Sequence, residues 1–512
     1  MAPAPTTHTR TPSMLASVHR VDTIASLLQA GRDSAPAILT VDGAVLDWQE
    51  LRHTVDRLAD QLRATGIGAG DRIAIVLPNG PEMALIFLAA TIAGCAAPLN
   101  PNYREDEFRF YLDDLGARAL ITRPGEMAAA HAACPDDTMT IALHGEVPSL
   151  DLVATDPAPP GDDEPTSDTV ALVLHTSGTT SRPKIVPLRQ RNLVRSAHNV
   201  AASLAITTDD RSLNVMPLFH IHGLVAGLLA PMAAGGSVVC TPGFDAFKFH
   251  AWLDDLEPTY YTAVPTMHQM AIARAPEPRP NTLRFVRSSS ASLPGPVLEA
   301  LGGLFSVPVI EAYGMTEASH QMASNPLPPQ IAKPGSVGLP TGIEVVALDE
   351  ANRPLPPGER GEVGIKGATV IGAYENNPDA NAASFTNGWF RTGDEGFFDK
   401  DGYLFLTGRL KEQINRGGEK ISPLEIDEVL LRNPAVAQVA AFAIPHEKLG
   451  EEVGAAVVLE DGYEISSQEL RSYASEHLAA FKVPRQIVFV DKIPKGATGK
   501  LQRIGLAEQL GL

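Results

Sequence analysis

The chain has 512 residues, 44% of them hydrophobic and 20% charged, with 60 acidic against 41 basic side chains and a formal net charge of −19. Such a chain can bury a large core in about two to four domains, which excludes a mostly disordered, collagen-like or coiled-coil protein. The acidic balance argues against wholesale nucleic-acid binding but leaves local anion sites open. Cys95, Cys134 and Cys240 show no CxxC spacing; they suit neither a disulfide framework nor a closed zinc site, and a reducing compartment is the simpler expectation.

The first twenty residues carry Arg10 and Arg20, several Ser and Thr and no acid. A transit peptide has that composition, but no apolar face recurs, so residues 1–20 read as a disordered tail. Asp47 followed by Glu50 marks a helix start with a capping box. Trp48, Leu51, Val55, Leu58 and Leu62 then recur at helical spacing. Arg72 to Leu77 is a short apolar strand. Met83 to Leu99 is uncharged over 17 residues, at the short limit for a membrane span, but its small residues, Gly94 and the turn at Pro98 to Pro101 favour a buried helix. Strand-like runs follow at Ala119 to Thr122 and Thr169 to Leu174, and the order reads as α/β layering. Asp156 to Asp168 is Pro-rich and acidic, an exposed loop. From Gly361 to Gly408 short strands alternate with Gly and Asp turns, a β-rich subdomain with a hairpin at Asp399 to Gly402. Beyond it, helices near Leu424 to Leu431 and Ser467 to Ala479 flank strands near Val436 to Ile444 and Gly454 to Leu459. We expect an α/β protein with a large N-terminal body, 21–410, and a small α+β lid, 411–512.

The first chemical signal is His175-Thr-Ser-Gly-Thr-Thr-Ser-Arg-Pro-Lys184, directly after an apolar strand. Hydroxyls, backbone N–H groups and a glycine in such a turn are the donors that polyphosphate oxygens need. It is not a Walker A loop, and Gly496 to Lys500 resembles one only superficially because leucine follows the lysine. Alone, a Ser/Thr/Gly loop is more often just a turn. Here Glu311-Ala-Tyr-Gly-Met-Thr-Glu317, Trp389-Phe-Arg-Thr-Gly-Asp394, Gly408-Arg-Leu-Lys411 and Pro494-Lys-Gly-Ala-Thr-Gly-Lys500 follow in order. Together these motifs resemble the acyl-adenylate-forming superfamily of acyl-CoA synthetases, luciferases and adenylation domains, over about residues 20 to 510.

The resemblance implies ATP, Mg²⁺ and CoA as cofactors and substrates. An acid attacks the α-phosphate of ATP, pyrophosphate leaves, and a thiol then attacks the acyl-adenylate after the C-terminal domain rotates. It assigns the β- and γ-phosphates to Thr176, Ser177, Gly178, Thr179, Thr180 and Lys184, and adenine to Tyr313 with Glu311 and Ala312 beside it. Thr316 takes the α-phosphate, Glu317 Mg²⁺, Asp394 and Arg409 the ribose, and Lys500 the catalytic cation. Thr176 and His220 join Lys500 and Glu317 as catalytic candidates. Lys411 matches the hinge, and Arg416, Gly417, Gly418 and Lys420 the face that meets the pantetheine arm. Ser181 and Ile185 stand where the family usually has glycine, which restricts the loop and adds bulk. Singly, Asp394 in a turn, Lys500 near a terminus or Tyr313 in a strand each have bland structural explanations; the joint order overturns them.

The acid pocket matches three places: the segment after Met216-Pro-Leu-Phe-His220, the strand Ser288 to Leu293, and the residues after Glu317. They are polar here, with His220, His222, Ser289, Ser290 and His320 as substrate candidates. A greasy tail would leave such donors unpaired at roughly 1 to 3 kcal/mol each, whereas a dicarboxylate satisfies them, with histidine supplying positive charge. A structural or hydrated polar network is the competing explanation. Met216 to Gly227, Tyr261 to His268, Arg287-Ser-Ser-Ser, Met315 to Pro329 and Glu412 to Pro423 further resemble the plant and fungal oxalate–CoA ligases. Oxalate is therefore the expected acid, with malonate or another short, medium or aryl acid as rival. A carrier-protein pantetheine as acceptor, or a non-catalytic sensor of nucleotide or acyl-CoA, stays open. The expected partners are small molecules, with no nucleic acid and no membrane insertion. The C-terminal Leu-Gly-Leu is no peroxisomal signal, so the expected location is the cytoplasm.

Overall fold

The computed structural model describes residues 22–155, 159, 164–176, 183–275, 278, 281–494 and 501–512. The expected N-terminal tail and most of the acidic Pro-rich stretch lie outside the described residues.

The helix signalled at Asp47 runs Trp48–Ala64. The Asp47 carboxylate accepts the Glu50 N–H at 2.8 Å, and the Glu50 carboxylate accepts the Asp47 N–H at 3.2 Å, which closes the capping box. Trp48, Leu51, Val55, Leu58 and Leu62 form its buried stripe, packed on the helix Pro81–Ala93. That second helix has no polar face and is buried from Met83 to Ala93 because other elements cover it all round. Among the described residues no helix is long and apolar enough to cross a membrane.

Two large sheets carry the N-terminal part. Seven strands run in the order Asp151–Ala154, Met139–His144, Ala119–Thr122, Arg72–Ile75, Cys95–Pro98, Val170–Thr176 and Lys184–Arg189. Nine run in the order Leu339–Pro340, His320–Ser324, Val309–Met315, Phe285–Ser289, Tyr260–Ala263, Arg211–Asn214, Ser237–Cys240, Pro36–Thr40 and Val45–Asp47. Both are parallel through the middle with antiparallel edges. Their central strands are buried on both faces, which is why they read as continuous apolar runs. A third, antiparallel sheet is the expected β-rich part: Glu344–Leu348, Gly361–Lys366, Trp389–Phe398 and Phe385–Thr386, with Leu404–Arg409 on Trp389–Phe398. The last sheet, Glu419–Ile421, Ile414–Arg416, Gly450–Leu459 and Val436–His446 with Gln486–Phe489, has a core of its own with the helices Pro423–Leu430 and Ser467–His477.

The architecture is thus the expected α/β one, with a large N-terminal part and a smaller C-terminal part. Parallel sheets place ligands at the carboxyl ends of their strands. Ala263, Ser289 and Met315 end three adjacent strands of the nine-stranded sheet, and Thr176 ends a strand of the seven-stranded one.

Candidate active site

The strand Phe285–Ser289 is buried at every position yet carries Arg287. Pairing sets Arg287 beside Thr262 on one neighbour and Ile310 on the other. Its guanidinium is fully buried. Nη1 donates to Thr262 Oγ1 at 3.0 Å and contacts His222 Nε2 at 3.3 Å; Nη2 donates to Gln321 Oε1 at 2.9 Å and contacts His320 Nε2 at 3.4 Å. Among the described residues Nε has no partner, and no carboxylate neutralises the group. Burial lowers its pKa to about 10, so it stays a cation at neutral pH. A buried charge without a counter-charge costs several kcal/mol, and anion binding repays such a cost.

His222 opens the π-helical turn His222–Leu229, an element common at functional sites. Its Nε2 lies 2.6 Å from Thr262 Oγ1 and its Nδ1 3.0 Å from Ser290 Oγ. Since Nε2 faces the arginine donor, the proton belongs on Nδ1, which donates to Ser290. The serine then keeps its own O–H as a donor. Burial, then the charges of His320 and Arg287, hold His222 well below the ordinary imidazole value. The expected positive charge was on His320 and, after it, His222; burial beside Arg287 favours the neutral form at His222, and Arg287 is a cation that the expectation did not include. His320 stacks obliquely on His222 with ring centroids 4.9 Å apart.

The backbone here is strained. Ser290, Ser319 and His320 have φ of 74°, 54° and 107°, and such outliers cost about 1–3 kcal/mol each. Gly314 makes room: a Cβ there would lie 2.2 Å from the His320 carbonyl oxygen and 2.8 Å from its Nδ1. Ser289 points elsewhere than expected. Its hydroxyl donates to the Ala312 carbonyl at 2.9 Å, which removes it as a donor to an acid. His220 is half-buried on the turn before the π-helix, its ring 4.5 Å from Phe219.

A second cluster adjoins the first through the strand Val309–Met315. Tyr313 donates its phenol O–H to Asp394, and Arg409 Nε pairs with the other Asp394 oxygen at 3.0 Å. Burial, then the Asp394 charge, raise the Tyr313 phenol well above its ordinary value. Ala312 is buried beside it. Glu311 accepts the Leu293 N–H at 2.9 Å, and burial pushes its carboxyl up to about 8. Thr316 and Glu317 form a single 3₁₀ turn. Tyr374 donates to Glu317 Oε1 at 2.7 Å, and Lys184 Nζ lies 4.3 Å above the Tyr374 ring. Burial lowers the Lys184 pKa; Glu317 opposes that and Lys411 adds to it. Thr176 pairs with Lys184 across the hairpin, and Ile185 is buried with Val173 and Leu99, so its bulk is core.

Ser177, Gly178, Thr179, Thr180, Ser181 and Lys500 lie outside the described residues. Arg416 pairs with Glu452 at 2.6 Å inside the C-terminal sheet, where Gly417 and Gly418 turn the hairpin with φ of 61° and 95° and Lys420 is exposed. Among the described residues no three His, Cys, Asp or Glu side chains group as a metal site.

The strand Val309–Met315 thus links a buried cation cluster to a buried Tyr313–Asp394–Arg409 group. A family model described as AMP-binding enzyme matches residues 29–375, and one described as AMP-binding enzyme C-terminal domain matches 425–500. The chain belongs to the AMP-binding enzyme family. It is 44% identical over 500 residues to the oxalate–CoA ligase of Arabidopsis thaliana, covering 94% of this chain and 97% of that one. It is 46% identical to the probable CoA ligase CCL9 of Humulus lupulus, covering 92% and 93%. The ATP-bound structure of MatB from Rhodopseudomonas palustris superposes with a TM-score of 0.85 at 28% identity, over 95% of this chain and 98% of that one. The expected superfamily is thereby met, and with it goes the reaction class, AMP-forming acid–CoA ligation with ATP.

Arg287, Thr262, Gln321 and Tyr374 were not singled out as site residues by the sequence. A lone arginine inside an otherwise apolar and small-residue strand, Phe285-Val-Arg-Ser-Ser, was the available signal for the first.

Proposed function

We propose that this chain is an oxalate–CoA ligase, forming oxalyl-CoA, AMP and pyrophosphate. The observation that carries the acid is Arg287: a buried cation with no carboxylate partner among the described residues, beside two histidines and the Ser290 hydroxyl. Oxalate has one carboxylate to activate and one to leave in that hole. The 44% identical relative named oxalate–CoA ligase supports the choice.

In this proposal Arg287, with Ser290 and His320, holds the distal carboxylate and turns the other toward the nucleotide, while His222 orients the Ser290 hydroxyl. Tyr313 carries adenine, Asp394 and Arg409 the ribose, and Thr316 the α-phosphate. Thr176, Lys184 and the loop Ser177 to Thr180 hold the outer phosphates. An acid oxygen attacks the α-phosphorus as the bond to pyrophosphate breaks. Lys500 balances the charge that builds there, and its loss is expected to cost on the order of 10² to 10³ in rate. The CoA sulfur then attacks the acyl carbon and AMP leaves, with the C-terminal part, residues 411–512, turning about Lys411 to bring Arg416, Gly417, Gly418 and Lys420 to the pantetheine arm. Glu317 fits Mg²⁺, which binds through one or two carboxylates plus substrate phosphates. Bound there it would neutralise phosphate charge.

The test measures pyrophosphate and AMP release with ATP, Mg²⁺ and CoA across oxalate, malonate, acetate, hexanoate and 4-coumarate, with the thioester identified by mass. A strong preference for oxalate is expected. Preference for malonate would keep Arg287 as the anion hole and enlarge the acid; preference for hexanoate or coumarate would overturn the pocket assignment. A carrier-protein acceptor is tested by replacing CoA with a phosphopantetheinylated carrier.

A further inference from the structure

Tyr374 belongs to no motif that named the site, yet it touches both charged groups of the phosphate side. It arrives on a segment stitched to the two elements that carry them. The Ile371 N–H donates to the Glu317 carbonyl at 2.9 Å, and the Glu375 N–H to the Ile185 carbonyl at 3.1 Å. Glu375 also pairs with Arg72. Asn381 clamps Tyr374 on both sides, accepting its N–H at 2.7 Å and donating to its carbonyl at 2.9 Å. Phe390 packs edge-on at 6.1 Å between ring centroids. The ring is therefore fixed, with its hydroxyl on Glu317 Oε1 and its face under the Lys184 ammonium.

We propose that Tyr374 is a positioning residue that sets the cation preference of the site: its O–H takes one lone pair of Glu317 Oε1, fixes the carboxylate and makes Oε2 the stronger of its two oxygens toward a metal. A carboxylate held this way favours monodentate ligation through Oε2 over a symmetric two-oxygen grip. Mg²⁺ demands near-octahedral geometry at about 2.0–2.1 Å, whereas Ca²⁺ readily takes both oxygens of a carboxylate at about 2.3–2.6 Å. The phenol thus favours the smaller ion, and it orients the ligand as outer partners of metal sites do. The ring separately supports Lys184 by a cation–π contact. This inference rests on the proposed role of Glu317 toward the metal, but not on which acid is activated.

The experiment is ATP binding by calorimetry without acid or CoA, with ATP alone, with MgCl₂ and with CaCl₂. In the unsubstituted protein Mg²⁺ is expected to tighten ATP binding more than Ca²⁺ does. Tyr374→Phe keeps the ring and loses the hydroxyl. It should leave metal-free ATP affinity within about threefold, reduce the Mg²⁺ enhancement by about 10- to 100-fold, and spare the Ca²⁺ enhancement. Tyr374→Leu, which also removes the face under Lys184, should weaken metal-free binding as well. An unchanged Mg²⁺-to-Ca²⁺ ratio in Tyr374→Phe overturns the proposal, as does ATP binding that ignores Mg²⁺ in the unsubstituted protein. Failure to activate any small acid would strike the proposed function instead and leave this binding comparison readable.

Discussion

Replacing Arg287 with methionine separates what the guanidinium does for the fold from what it does for the acid. In the fold two terms oppose. Removing a buried cation that has no carboxylate partner among the described residues relieves a desolvation cost of several kcal/mol. Against this, Gln321 Oε1 and Thr262 Oγ1 lose donors now at 2.9 and 3.0 Å, at about 1–3 kcal/mol each if left unsatisfied. The terms are of equal size, so Arg287→Met should melt within a few degrees of the parent. Catalysis has no such compensation. Removing one partner of a buried, hydrogen-bonded charge pair costs about 2–5 kcal/mol, a fall in kcat/KM from about 30-fold to a few thousand-fold. The loss should appear for oxalate and be much smaller for acetate, which has no distal carboxylate. Continuous pyrophosphate assays with both acids, and a thermal melt, read all three quantities. Oxalate turnover within about threefold of the parent, or equal losses for oxalate and acetate, would refute the anion-hole argument.

Gly314→Ala places a Cβ against the His320 backbone and ring. Overpacking of that kind costs about 1–3 kcal/mol of stability, and the displaced imidazole should lower kcat/KM for the acid while the KM for ATP moves little; a specific loss in ATP affinity would contradict the pocket geometry. Glu311→Gln tests the buried carboxyl that sits at about 8. Its folded-state pKa is raised, so between its ordinary 4.5 and about 8 the folded chain holds a proton the unfolded chain releases, and stability falls as pH rises through that window. Glutamine keeps an oxygen for the Leu293 N–H and does not ionise. The variant should gain on the order of a few kcal/mol at pH 8.5 relative to pH 5; an equal change in Tm at both pH values would remove Glu311 as the cause.

The elements were legible where one local rule decides them. Asp47 and Glu50 announce their capping box, and the 3–4 spacing from Trp48 to Leu62 gives the buried stripe. The adenylate motifs were legible because their order along the chain is specific, and the structure brings Tyr313, Asp394 and Arg409 into one hydrogen-bonded group. The proposed acid pocket was only half legible. Polarity at Ser288 to Ser290 and at His320 is visible in sequence, but which hydroxyl faces the pocket is set by strand alternation and by a positive φ at Ser290. The neutral state of His222 depends on burial beside Arg287, a relation across 65 residues that no local pattern carries. Tyr374 depends likewise on a segment from the β-rich sheet crossing to Glu317.

The placement of charge explains how a strongly acidic chain can serve two anionic substrates. With a net charge of −19 the long-range field repels both ATP and a carboxylate substrate. Salt screens that field over about 8 Å at physiological ionic strength, while a buried contact is screened far less. Arg287 is fully buried, and Lys184 is half-buried beside Glu317 and Tyr374, so in the roles proposed above both would act at short range, where surface charge counts for little. Capture should therefore depend on the local hole rather than on steering. With Mg²⁺ and ATP held saturating, kcat/KM for the acid should stay level or rise as NaCl goes from about 20 to about 200 mM, because salt weakens the repulsion and spares the hole. An attractive surface field would give the opposite sign, a steep fall in rate with salt. A several-fold decrease over that range would show that exposed cations do the capturing, and it would move the search for the acid's determinants from Arg287 to the rim.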